Sequence, residues 1–197
     1  MTAPEAAPAP RAGQLAALLG TLLRERRTIH DYASVEPAQS LVLEAIEQAR
    51  WAPNHHHTEP WRFYLLSRAI GAQVAALNAE LVRAKSGEQA AEAKLRRWLA
   101  MPGWLVVTCL TNADPARERE DYAACCCAVQ NLMLALWAQG IGTKWGTGKV
   151  TRDPRFLALI KADAAAEFVV GLFWYGYPAV VPKQTRRSVD ELVRIID

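Results

Sequence analysis

Four stretches of the chain carry side chains able to do chemistry. Arg26, Arg27 and Thr28, with His30 close behind, stand where a leucine-rich segment gives way to a polar one. Guanidinium groups at such a junction grip a phosphate through paired, charge-assisted hydrogen bonds. Taken alone, they suit better a solvated basic face that complements a helix dipole. The second stretch is Asn54-His55-His56-His57-Thr58-Glu59-Pro60-Trp61. Three consecutive histidines raise the question of a metal, but zinc needs ligands from at least two well-spaced places. His30 is the one other histidine and no H-E-x-x-H occurs, so no metal is expected. A loop that hydrogen-bonds a polar heteroaromatic ligand accounts for these residues better. The third is Trp145-Gly146-Thr147-Gly148, where glycine lets backbone N–H groups approach a ligand. It lacks G-x-G-x-x-G and a following long helix, so a Rossmann dinucleotide site is not expected. The fourth is the basic run Lys183-Gln184-Thr185-Arg186-Arg187, either a solvated linker or a phosphate clamp. No G-x-S-x-G occurs, and no Ser or Cys has an evident His partner. An enzyme built this way leaves the hard chemistry to a cofactor.

The elements that must hold these residues follow from periodicity. Leu15 to Arg26 reads as a helix, with Leu15, Leu18, Leu19, Leu22 and Leu23 at helical spacing. Pro37 is expected to open a second helix running to about Trp51, burying Leu41, Val42, Ala45, Ile46 and Ala49. Ala52 to Pro60 is a polar loop and Arg62 to Leu66 a strand. Ala69 to Leu99 is helical, interrupted near Ser86-Gly87. Trp104 to Leu110 and Glu167 to Tyr177 are continuous apolar runs, hence buried strands. Asp121 to Gln139 is a helix apolar nearly all round, to be buried on most sides. Thr143 to Trp145 forms a short strand and Asp153 to Ile160 a short helix. Ser188 and Glu191 have capping-box spacing. Val193 to Ile196 looks extended. Such mixed, non-alternating elements indicate an α+β fold.

Composition narrows the classes. The 197 residues are 51% apolar, enough for one folded domain with a real core. The net charge of +3 comes from basic residues spread along the chain, not gathered into the stripe of a nucleic-acid binder. No apolar run reaches the ~20 residues of a membrane span. Met1 to Gly13 is Ala- and Pro-rich without an apolar centre, and reads as a floppy leader rather than a signal peptide. Cys109 and the adjacent Cys125, Cys126 and Cys127 cannot face one metal, because neighbours on a helix diverge by ~100°. They read as small packed side chains, and free thiols point to the cytoplasm. Seven tryptophans are many for this length and supply large flat rings.

In order and spacing, five segments together resemble the FMN-dependent nitroreductase family, in its small, minimal form. They are Arg26-Arg27-Thr28-Ile29-His30; Trp51-Ala52-Pro53 through Glu59-Pro60-Trp61-Arg62-Phe63; Asp121 to Gly142 with Asn131; Gly171 to Pro178; and Arg186-Arg187. The resemblance covers nearly the whole folded chain. It implies one FMN-binding domain over 14–197 and a central mixed, mainly antiparallel sheet flanked by helices. It also implies a homodimer, with the C-terminal strand exchanged between subunits. By the same resemblance, Arg26, Arg27 and Thr28, joined by His30, hold the phosphate and ribityl end of FMN, and Arg186 closes over the phosphate. Pro53, Asn54, His55 and His57 would reach the flavin of the other subunit. The Trp145, Gly146 and Thr147 backbone would lie along the isoalloxazine near N5, with Trp51 and Trp61 supporting the loop. The Asp121 to Gln139 helix would be central to the dimer interface.

The chemistry implied is hydride transfer from NADH or NADPH to the flavin, then ping-pong reduction of a nitroaromatic, quinone or enone. No side chain is expected to act as acid, base or nucleophile, since the flavin carries the reaction. Positive charge near flavin N1 and O2 would stabilise its reduced anion. Four positions depart from the family pattern, and one of them, Gly146, lacks the Arg seen in some small members, so its contact would be through backbone only. His30 stands where Arg or Lys is usual, which would make the flavin potential unusually dependent on pH. His57 replaces a common Asn and Glu59 a common Gln. Rival readings are a dedicated flavin enzyme of one step (dehalogenation or flavin cleavage), a non-catalytic flavin-binding protein and, more remotely, a basic nucleic-acid module.

Overall fold

The computed structural model describes residues 12–196. Four strands form one sheet in the order β1-β2-β4-β3. They are β1 (Trp61–Leu65), β2 (Gly103–Leu110), β3 (Gly142–Gly146) and β4 (Glu167–Gly176). All three neighbouring pairs are antiparallel. The expected mixed character is confined to one isolated parallel bridge, Thr28 to Thr143, outside the named strands. Register runs from Trp61 opposite Cys109 to Leu65 opposite Leu105, and from Gly103 opposite Tyr175 to Leu110 opposite Glu167.

Side chains alternate across the two faces of β2, as a pleated strand requires. Leu105, Val107 and Cys109 join Val42, Ala45, Ala49, Leu132 and Leu136 in one core. That core is packed by α2 (Gln39–Ala49) and α5 (Pro115–Ala138). Trp104 and Val106 face the other way, with Val74, Phe156 and Trp174. There the cover is α3 (Arg68–Ser86), α4 (Glu88–Leu99) and α6 (Pro154–Ile160). Trp98, Trp104 and Trp174 meet edge to face with centroids 4.8–5.8 Å apart, a favourable quadrupole geometry. Three of the seven tryptophans are thus accounted for by packing. Buried Glu167 ties this side together: it accepts from Tyr64 Oη at 2.6 Å, from the Thr108 hydroxyl and from Asp163 N at 3.3 Å.

Several boundaries differ from expectation for physical reasons. Helix α5 begins at Pro115, six residues before Asp121, capped by Asp114 accepting from Ala116 N at 2.9 Å. Its opening turns are charged and lack an apolar stripe. Helix α2 begins at Gln39 because Ala38 stays extended (ψ 136°), so Pro37 sits in the lead-in rather than in the first turn. Helix α1 (Ala12–Glu25) starts within the expected leader, whose earlier residues lie outside those described. Ser188 and Glu191 do form a capping box, and 193–196 takes no strand partner among the described residues. Cys109 and Cys125 are buried as small packed side chains, but Cys127 is exposed. No described helix is long and apolar enough to cross a membrane.

Candidate functional site

The end of α1 is drawn onto the sheet edge by backbone pairing. Ile29 N donates to Thr143 O at 2.9 Å beside the Thr28–Thr143 bridge, and Ala33 N donates to Tyr177 O at 2.8 Å. Gly142 makes this approach possible, since a Cβ there would lie 2.3 Å from Ile29 Cγ1. Arg26 to Thr28 therefore run beside β3, which leads straight into Trp145, Gly146 and Thr147. The Trp145 indole is anchored inward: its Nε1 donates to Val170 O at 3.1 Å and its ring lies 5.4 Å from Phe173. Gly171 makes room for it. Beyond the Thr28 bridge, the outer backbone of β3 has no strand partner among the described residues.

Arg26, Arg27 and Arg186 line one hollow of about 400 Å³, with Leu23, Arg24 and Gln184. No carboxylate lines it, and no ion pair joins any of these arginines to an acid among the described residues. Burial, then the charges of Arg27 and Arg186, push the Arg26 guanidinium below the usual arginine range. Arg27 also serves the helix end. Its Nη1 donates to Arg26 O at 2.9 Å and to the carbonyl of Arg24, where cation donors suit the orphan carbonyls. Several guanidiniums converging without a counter-charge make an anion site, and a phosphate monoester fits the donor set.

A second hollow, of about 380 Å³, is lined by Arg50, Trp51, Ala52, Pro53, Asn54, His57, Glu59 and Trp61. Asn54 organises its loop. Its Oδ1 accepts from Glu59 N at 2.7 Å, and its Nδ2 donates to Thr58 Oγ1 at 3.0 Å. The Thr58 hydroxyl in turn donates to buried Asp121 on α5. The bend forces positive φ at His56 (64°), His57 (52°) and Glu59 (44°), values that cost L-residues energy.

Six expected residues line neither hollow in the single chain: Thr28, Trp145, Gly146 and Thr147, which stay along the sheet edge, and His30 and His55, which lie elsewhere. His30 does not line the arginine hollow. Its pKa is lowered by partial burial and by Lys144 and Arg97, with Asp31 opposing. His55 turns to α5, with Nδ1 2.9 Å from Glu120 Oε2, and does not line the second hollow. Gln184 lines the arginine hollow from within the basic run already singled out, whereas sequence reasoning missed Arg24 as a lining residue and Asp121 as the loop's anchor. An aspartate bordering the apolar stretch of α5 was the available signal for the last.

The sequence and the fold match one family. The Nitroreductase family model covers residues 23–177, and the chain belongs to that family of oxidoreductases. Among proteins, it is 29% identical to "Putative NAD(P)H nitroreductase YfhC" of Bacillus subtilis (strain 168), across 87% of this chain and 90% of that one. Among solved structures, the nitroreductase-like family protein from Bacillus cereus is 30% identical. It superposes with a TM-score of 0.79 over 91% of this chain and 96% of that one. The FMN-dependent nitroreductase NfnB from Mycobacterium smegmatis, solved with NADPH, shares the fold. Its identity is 16% and its TM-score 0.72, over 93% of this chain and all of that one.

Proposed function

We propose that this chain is an FMN-dependent oxidoreductase that takes reducing equivalents from NADH or NADPH and delivers them to nitroaromatic, quinone or enone substrates. The observation that carries this reading is the convergence of Arg26, Arg27 and Arg186 on a hollow free of carboxylates, beside the open edge of β3. Arg26, Arg27 and Arg186 hold the phosphate, and Thr28 the adjoining ribityl chain. The backbone of Trp145, Gly146 and Thr147 borders the ring system. Held there by these residues, FMN would supply the hydride chemistry that links the nicotinamide to the second substrate in ping-pong order. The protein's own part is to place flat rings in contact, exclude water and surround the cofactor with positive charge.

The site is completed by a second copy of the chain. Leu15, Leu18, Leu19 and Leu23 of α1 are each more than half exposed, and Ile195 and Ile196 more than four-fifths. An apolar surface of that extent is a partner face. The arginine hollow and the Pro53–Asn54–His57 hollow share no lining residue within one chain. In the dimer, the loop of one subunit covers the cofactor held by the other, and the extended tail adds a strand to the partner. Free thiols in Cys109, Cys125, Cys126 and Cys127 accord with a cytoplasmic setting.

The test is anaerobic titration of the purified yellow protein. NADPH or NADH bleaches it, and nitrofurazone or menadione restores the colour. A yellow protein that neither nicotinamide bleaches would be a flavin binder without this activity.

A further inference from the structure

We propose that His55, His56 and Glu120 form a binding site for a divalent transition metal of the zinc class. The site is separate from the arginine hollow and does not depend on the flavin reading. The His55 and His56 imidazoles stack with centroids 3.8 Å apart and planes 21° apart. His55 Nδ1 lies 2.9 Å from Glu120 Oε2. One donor atom from each of the three residues falls within 4.8 Å of the others.

This clustering is not what neighbouring histidines ordinarily give. Successive side chains diverge by ~100° on a helix and point to opposite faces of a strand. Here the left-handed conformation of His56 (φ 64°) turns its ring back over that of His55. The strain of a positive φ on an L-residue accompanies the juxtaposition of two metal-ligating groups. Glu120, in the second turn of α5, supplies the ligand from a distant part of the chain that the histidine run alone lacks.

Two imidazole nitrogens and one carboxylate oxygen form the donor set of an open zinc centre, with water in the fourth position. A nitrogen-rich set favours zinc, nickel or copper over magnesium and calcium, which prefer oxygen cages. Tetrahedral zinc with bonds of about 2.0–2.1 Å needs donors about 3.3 Å apart. All three side chains are exposed, so rotation about their own bonds closes the remaining gap. Occupancy would pin the 54–59 loop to α5 near the Thr58–Asp121 contact.

Isothermal titration of the full chain, as purified, with Zn²⁺ alone tests this. The expected result is one Zn²⁺ per chain, weakened at least tenfold in His56→Ala and in Glu120→Gln, with Zn²⁺ raising Tm of the wild type only. Neither residue lines the two hollows, so metal-free Tm and circular dichroism of the variants check that they fold. Absence of binding to the wild type overturns the proposal. So does binding that survives Glu120→Gln unchanged, since the histidine run would then act alone.

Discussion

Arg26 and Arg186, from opposite ends of the chain, face the same hollow with no acid between them. Burial and the neighbouring charges of Arg27 and Arg186 already press on the Arg26 guanidinium. Removing one of these charges should therefore act with opposite signs in two states. Arg186→Gln relieves repulsion and stabilises the cofactor-free protein by about a few tenths of a kcal/mol, the size of an exposed charge interaction, which raises its Tm slightly. It lowers the Tm of the FMN-loaded protein, because a charge-assisted phosphate contact is lost. Thermal melts of both forms check the crossing. A fall in both would assign Arg186 to packing.

His30 gives a pH prediction. Its folded pKa lies below the ordinary 6.5, through partial burial first and then Lys144 and Arg97. The unfolded chain therefore binds the proton more readily, and stability falls as pH drops through about 6.5. His30→Asn removes that part of the acid loss. Urea unfolding at pH 7.5 and 5.5 reads it: the wild type should lose more stability between the two than the variant. The same lowered pKa leaves His30 neutral at pH 7, so any dependence of a flavin potential on His30 belongs on the acid side.

Tyr64 and Glu167 make the alkaline counterpart. Burial, then the hydrogen bond and charge of Glu167, push the Tyr64 phenol up to about 12. Its contribution to stability is present below the ordinary pKa of 10 and is lost as pH rises through the folded value. Ultraviolet titration of phenolate should show Tyr64 ionising late in the wild type and earlier in Glu167→Gln. Glu167→Ala should destabilise by about 2–3 kcal/mol, because the buried Thr108 hydroxyl loses its carboxylate acceptor.

The Asn54 side chain holds a strained loop through hydrogen bonds to Glu59 N, Thr58 Oγ1 and His55 O. Asn54→Ala should cost about 1–2 kcal/mol. The effect is local: amide hydrogen exchange should quicken over 54–59 while β2 and β4 stay protected. Uniform quickening would mean that the loop is not the unit that opens.

The tail offers a test of assembly. Deleting 193–196 removes Ile195 and Ile196, the most exposed large apolar side chains described. Sedimentation should show a dimer for the full chain and a weaker one for the truncated form. Unchanged association would assign the dimer face to α1 alone.

Strand and helix types were legible where apolar periodicity was strong, as in Trp104 to Leu110, which became β2 with both faces buried. The α3–α4 break was legible in Ser86-Gly87, and Gly87 there takes φ 81°. The start of α5 was not, because its charged first turns follow no apolar rhythm and only Asp114-Pro115 marks it. Within the site, the meeting of Arg26, Arg27 and Arg186 could be anticipated from chemistry and family pattern. The direction taken by His55 could not. It depends on a positive φ at His56 and on Glu120 across 65 residues of chain, and neither leaves a trace in local spacing.

A phosphate held by Arg26 and Arg186 is what would fix the cofactor in this site, and comparing FMN with riboflavin tests that hold most directly. Fluorescence-quench titration of the cofactor-free protein should give FMN an affinity at least tenfold above riboflavin. That preference should shrink in Arg26→Gln and in Arg186→Gln, each lost charged contact being worth about 1.5–3 kcal/mol. Equal affinity for FMN and riboflavin in the wild type, or an FMN preference untouched by both substitutions, would contradict it.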